Sequence, residues 1–214
     1  MARDDFYDSL FGSAYSAYME RPRLGRLIAR AVWGGDSKRY YESMAAVKEL
    51  PAGGTVVDCP CGAGPALRGV PAGDSIRYVA ADLSPSMIRR ARKRAEARHL
   101  GNVEFVHADA SELPLPSTSA DLFLSYWGLH CFQDPQGALA EAARILKPGA
   151  RLVGAALLRG TESLRQRFLI RSCTGGFGKV GTESEVEDWL RVAGFQAQLS
   201  RSGPMLFFDA RTQG

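Results

Sequence analysis

The sequence predicts an α/β fold in which a mostly parallel sheet carries helices on both faces. Three observations predict it. From Thr55 onward, short apolar runs alternate with amphipathic stretches of helical period. Strong breakers separate them, above all Pro51-Ala52-Gly53-Gly54 and Lys147-Pro148-Gly149. The chain then closes on two strand-like runs, from Gly194-Phe195 through Phe207-Phe208, patterned as an antiparallel pair.

The elements follow in order. Residues 1–50 read as helical, because Phe6, Leu10, Phe11, Tyr15, Tyr18 and Met19 fall at helical spacing. A second helix from Leu24 to Val32 ends at Gly34-Gly35, and a third covers Ser37 to Leu50. Strands are expected at Thr55–Asp58, Tyr78–Asp82, Val103–His107, Asp121–Tyr126 and Arg151–Leu158. Helices are expected at Pro85–His99, Pro135–Leu146 and Glu183–Ala193. The helix after the first strand must be short, since Gly69 and Pro71 soon break it. This divides the chain into an N-terminal helical segment, 1–50, and a domain over 51–214.

With 214 residues, 45% of them hydrophobic, one domain can bury a sizeable core. The net charge of +4 comes largely from Arg89-Arg90-Ala91-Arg92-Lys93-Arg94. Apolar Met87, Ile88, Ala91, Ala95 and Leu100 interleave with that run, which favours a solvated helix face over a nucleic-acid patch. The N-terminus lacks the cationic start and apolar core of a signal peptide. No apolar run approaches the ~20 residues that span a bilayer, so membrane insertion is not expected. Four cysteines, at 59, 61, 131 and 173, show neither paired C-x-x-C spacing nor disulfide-rich density. A reducing, cytoplasmic setting is the expectation. Cys59 and Cys61 form a C-x-C pair with no second ligand pair nearby, so no metal site is expected.

In mostly parallel sheets, ligands bind beyond the carboxyl ends of the strands. Asp58 and the turn Cys59-Pro60-Cys61-Gly62-Ala63-Gly64 follow the first strand. Gly62 and Gly64 suit positive φ or close approach of a ligand to the backbone, although an empty glycine turn would use them too. After the second strand comes Asp82, twenty positions beyond Gly62, able to accept both hydroxyls of a ribose. It could instead cap the next helix, as could Ser84. Asp109 follows the third strand and suits an exocyclic amine such as that of adenine, or a turn. Neither G-x-x-x-x-G-K-[ST] nor G-x-G-x-x-G follows the first strand, so NTP and NAD lose ground.

Four segments carry a resemblance: Val56-Val57-Asp58-Cys59-Pro60-Cys61-Gly62-Ala63-Gly64, Asp82 to Met87, Asp109 to Pro114, and Leu139 to Gly149. In this order they resemble class I S-adenosylmethionine-dependent methyltransferases, from about residue 50 to the C-terminus. The resemblance implies a Rossmann-like, seven-stranded sheet with an antiparallel last strand and an N-terminal helical cap. It implies S-adenosylmethionine as cofactor and S-adenosylhomocysteine as product. Asp58 would orient the loop near the methionine amino group. The loop residues Cys59, Pro60, Gly62 and Gly64 would lie along the cofactor, with Gly62 and Gly64 letting the backbone approach it. Asp82 would hold the ribose, Leu83 and Met87 would flank the adenine, and Asp109 with the Ala110 amide would meet its edge. Tyr15, or Tyr18, would close over the cofactor.

Methyl transfer relies on holding acceptor and donor close and aligned. Tyr126 falls where the family lines the transfer centre. His130 is a candidate base for a protonated acceptor, with a structural or wall-lining role as its alternative. Tyr126, Trp127 and Phe132 would form an aromatic wall for a planar or lipid-like acceptor, or simply pack the core. Residues 159–181 sit where relatives vary their acceptor cover. Pro60 departs from the family's usual glycine and removes one N–H. Ser125-Tyr126-Trp127-Gly128 departs from the segment typical of DNA amine methyltransferases. The expected function is methylation of an O, N or C atom of a small molecule, of quinone, polyketide or lipid-like kind. An RNA methyltransferase and a non-catalytic S-adenosylmethionine-binding protein are the alternatives. The acceptor and the choice between monomer and homodimer stay open.

Overall fold

The computed structural model describes residues 21–71, 73, 75–160 and 178–213. Two helical segments come first: α1 (Pro22–Ile28), which widens into a π-turn at Ala29–Trp33, and α2 (Lys38–Ser43), which tightens into a 3-10 turn at Met44–Glu49. The α/β core then alternates β1 (Thr55–Asp58), a 3-10 turn at Pro65–Gly69, β2 (Arg77–Asp82), α3 (Pro85–Ala97), β3 (Val103–His107), β4 (Ala120–Tyr126), α4 (Pro135–Ile145) and β5 (Leu146–Leu157). Helix α5 (Glu183–Val192) leads into β6 (Phe195–Ser202) and β7 (Met205–Thr212). The expected helix over Phe6 to Met19 lies outside the described residues.

The seven strands run in the order β3-β2-β1-β4-β5-β7-β6. Strands β1 to β5 pair in parallel, and β7 enters antiparallel between β5 and β6. Alternating side chains point to opposite faces of the sheet, and each face has its own core. Val57, Val79, Phe123 and Leu152 pack under α4 and α5 through Leu139, Ile145, Trp189 and Leu190. Val56, Tyr78, Leu122 and Val153 pack on the other face against Tyr40, Met44, Val47, Leu67 and Ala91. The segment preceding β1 therefore contributes fully buried residues, Tyr40 and Val47 at 0% exposure among them.

The start of β5 departs furthest from expectation. Lys147-Pro148-Gly149 does not stop the chain ahead of the fifth strand; β5 runs through it from Leu146. Leu146 pairs with Ala120 and Arg151 with Leu122, with the register shift falling between those partners. Gly149, at φ +73°, sits in that irregularity. Burial of Leu146 against β4 holds the strand start that the local breakers would deny.

Candidate functional site

The strand order reverses between β1 and β4, the switch point at whose carboxyl end doubly wound sheets hold their ligands. Strand β1 ends there on Asp58, only 1% exposed. The Tyr78 hydroxyl donates to Asp58 Oδ2 at 2.8 Å. Burial raises the Asp58 pKa to about 7; the Tyr78 bond opposes the rise and the Asp82 charge adds to it.

The following loop commits its own amides within the protein. Cys59 N–H donates to the Leu124 carbonyl, Cys61 N–H to the Ala81 carbonyl and Gly64 N–H to the Cys61 carbonyl, at 2.9, 2.8 and 2.9 Å. Gly62 N–H donates to Asp82 Oδ2 at 2.8 Å. Pro60 has no N–H to offer, and its ring packs so close to Gly128 that a Cβ there would lie 2.4 Å from Pro60 Cδ. The two loop glycines have different tasks. A Cβ on Gly62 (φ +51°) would meet nothing within 4 Å, whereas one on Gly64 (φ +78°) would come to 2.7 Å from Leu67 and 3.2 Å from Ala91. Gly64 lets α3 approach the loop; Gly62 faces open space.

Strand β2 ends on Asp82, which divides the capping work with Ser84. Asp82 Oδ1 accepts the Ser84 amide at 2.9 Å, and Ser84 Oγ accepts the Met87 amide at 3.4 Å to cap α3. Burial raises the Asp82 pKa, against the pull of the Ser84, Gly62 and Leu83 amides. Leu83 is 47% exposed, whereas Met87 is buried. After β3, Asp109 is exposed and its Oδ1 closes a turn by accepting from Ser111 N–H and Oγ, at 2.9 and 2.7 Å. Ala110 beside it is buried.

At the end of β4 the Tyr126 hydroxyl pairs with Ser43 Oγ at 2.9 Å, and burial pushes the phenol pKa up. Its ring stands edge-on to Tyr40, centroids 5.1 Å apart. Trp127 takes the left-handed φ of +60° and lies 5.5, 6.4 and 6.5 Å from the rings of Tyr40, His130 and Phe207. The expected aromatic wall is thus divided: Tyr126 and Trp127 join the α2 side, while Phe132 packs with the opposite core. His130 is buried, and its Nδ1 accepts the Leu157 amide at 3.1 Å. Burial lowers its pKa to about 3, so the ring is neutral at physiological pH.

Asp58, the Cys59–Gly64 loop, Asp82, Asp109 and Tyr126 therefore gather along the carboxyl ends of β1 to β4. Tyr15 and residues 161–177, most of the expected acceptor cover, lie outside the described residues. Tyr40, Ser43 and Tyr78 are the site neighbours that sequence reasoning missed. In the sequence they are ordinary helix and strand positions, and nothing local marks the partners they meet. Cys59 and Cys61 face opposite cores, and among the described residues no three His, Cys, Asp or Glu side chains gather for a metal. No helix among the described residues is long and apolar enough to cross a membrane.

The fold is that of a doubly wound α/β protein with its candidate site at the switch point between β1 and β4. A family profile described as a methyltransferase domain matches residues 57–154. The chain is 33% identical over 203 residues to 27-O-demethylrifamycin SV methyltransferase of Amycolatopsis mediterranei, spanning 87% of this chain and 74% of that protein. It is 45% identical over 75 residues to demethylmenaquinone methyltransferase of Thermus thermophilus, but this covers 35% of the chain and 34% of the relative. Among solved structures it resembles phosphoethanolamine N-methyltransferase 2 of Haemonchus contortus, in complex with S-adenosyl-L-methionine. That match has a TM-score of 0.74 at 15% identity and covers 100% of this chain and 60% of the other. The chain belongs to the class I S-adenosylmethionine-dependent methyltransferases, and S-adenosylmethionine is its methyl donor.

Proposed function

We propose that this methyltransferase acts on an O, N or C atom of a small molecule with a planar, apolar body, of quinone or polyketide kind. The observation that carries this reading is the aromatic group at the end of β4, where the half-buried Trp127 packs with Tyr40 and Phe207. Such rings match flat apolar surface by stacking and edge contacts. The printed names of the rifamycin and menaquinone relatives agree with acceptors of this shape.

When bound, the cofactor supplies an electrophilic methyl group on a sulfonium. The residues fit its other parts. Asp82 has both oxygens anchored by backbone amides, yet each keeps a lone pair for a ribose hydroxyl. Leu83 offers exposed apolar surface to the adenine, and Gly62 leaves room where a Cβ would stand. Asp109 and the Ala110 amide take the adenine edge, and Asp58 takes the methionine ammonium. Tyr126 shapes the transfer centre as a neutral phenol fixed by Ser43.

His130, neutral and already accepting the Leu157 amide, suits a wall better than a base. That supports an acceptor that loses its own proton readily, such as a phenol, hydroquinone or enol.

The test incubates the protein with labelled S-adenosylmethionine and a panel of quinols and hydroxylated polyketides, then identifies products by mass spectrometry. Label in such a product, abolished in Asp82→Ala, is the expected result. Label transferred to RNA instead, with every small molecule untouched, overturns the reading.

A further inference from the structure

A cavity of about 570 Å³ opens between the 3-10 turn at Met44–Glu49, the 3-10 turn at Pro65–Gly69 and the C-terminal end of α3. Ile76 lines it and precedes Arg77, the first residue of β2, whereas the methyl-donor site lies beyond Asp82, the last. The six residues of β2, roughly 20 Å of strand, therefore separate the two places. A volume of this size suits a small molecule rather than a lone ion.

The lining narrows the ligand, because its rim is cationic and its floor apolar. Lys48, Arg68 and Arg98 line the cavity, and no carboxylate stands among its described lining residues. Val47, Val70 and Ile76 form the floor, each buried. The Arg68 guanidinium lies 5.4 Å from the centre of the Tyr41 ring, a contact that restrains its long side chain. Arg98 Nη2 donates to the Arg68 carbonyl at 3.5 Å, a long bond that ties the end of α3 to the turn. The turns that carry Lys48 and Arg68 are packed together, for a Cβ on Gly69 would come to 2.2 Å from the Met44 carbonyl oxygen. Three like charges around one cavity repel one another, and an anion among them relieves that repulsion. Guanidinium forks match the oxygens of phosphate and carboxylate groups, and the floor takes a compact hydrocarbon body.

We propose that this cavity binds a small organic anion, a phosphate monoester or carboxylate on a compact apolar body, at a site separate from methyl donor and acceptor. Lys48, Arg68 and Arg98 hold the anionic oxygens, and Val47, Val70 and Ile76 meet the body.

Titration calorimetry with phenyl phosphate, benzoate, inorganic phosphate and benzyl alcohol tests this, each with and without saturating S-adenosylhomocysteine. Phenyl phosphate or benzoate should bind saturably at one site per chain, with the same affinity whether or not S-adenosylhomocysteine is present. The tighter of the two names the anionic group. Inorganic phosphate and benzyl alcohol each lack half of the match and should bind at least ~10-fold more weakly. Lys48→Gln and Arg98→Gln change exposed residues, and each should weaken binding at least ~3-fold. Arg89→Gln, at an exposed position on α3 outside the cavity, should change nothing. No saturable binding, displacement by S-adenosylhomocysteine, or unchanged affinity in Lys48→Gln and Arg98→Gln overturns the site. Equal weakening in Arg89→Gln overturns it too, as does inorganic phosphate binding as tightly as phenyl phosphate.

Discussion

Tyr78 donates its phenol to the Asp58 carboxylate across 2.8 Å, in a place where both residues are sealed from solvent. This bond restrains a carboxyl whose pKa burial has driven to about 7. An arriving ammonium favours the ionised form, so cofactor binding near pH 6 should release a proton. Affinity should rise with pH and level off above about 7. Calorimetry in buffers of different ionisation enthalpy checks this, and heats independent of buffer would remove Asp58 from the ammonium site. In Tyr78→Phe the restraint is gone, and the affinity profile should shift to higher pH.

Stability without ligand should carry the same signature. The folded pKa of Asp58 is raised from 3.8, so its contribution is complete below pH 3.8 and is lost as pH rises through about 7. The loss is on the order of 4 kcal/mol at full burial. Asp58→Asn has no charge to bury. Its melting temperature should match the wild type near pH 4 and exceed it at pH 8. A difference that does not change with pH would contradict the assignment.

The two loop glycines should respond oppositely to alanine. Gly64→Ala forces a Cβ against Leu67 and Ala91 and should lower stability by about 1–3 kcal/mol, as overpacking does. Gly62→Ala meets open space and should pay only for its positive φ, about 1 kcal/mol. Cofactor affinity should fall far more in Gly62→Ala than its stability does. Melting curves and titrations on both variants decide it, and similar behaviour of the two would count against a ligand at Gly62.

His130 separates a structural role from a catalytic one. His130→Asn keeps an acceptor near the Leu157 amide and should retain turnover within a few-fold. His130→Ala leaves that amide buried without an acceptor and should cost about 1–3 kcal/mol of stability. A general base would instead show losses of about 10²–10⁴ in turnover for both variants. The histidine's pKa is lowered from 6.5 to about 3, so its share of stability is present above 6.5 and lost as pH falls toward 3. Acid melts of the asparagine variant should lack that component.

Much of the candidate site was legible because its residues end elements with a strong local pattern. Asp58 and Asp82 close apolar runs, Asp109 follows another, and strand-end position was all that reasoning required. What escaped were side chains whose roles depend on pairing register. Tyr78 lies beside Val56 in the β1–β2 ladder, and from there its long side chain reaches Asp58 two residues further along. Tyr40 and Ser43 read as ordinary helix positions until packing brought them to Tyr126. The stop expected at Lys147-Pro148-Gly149 does not form, because pairing of Leu146 with Ala120 carries the strand through it.

The sequence by itself determined the alternation of strands and helices, the antiparallel closing pair and the acidic residues at the strand ends. Period and breaker chemistry act over a few neighbouring residues, so they are written locally. Tertiary structure decided that Gly62 faces space while Gly64 faces α3, that His130 is neutral and bonded to Leu157, and that Tyr40 and Trp127 share one cluster. Each of these depends on which distant atoms come within a few ångströms and how much water they exclude, and register and burial exist only once the sheet is assembled.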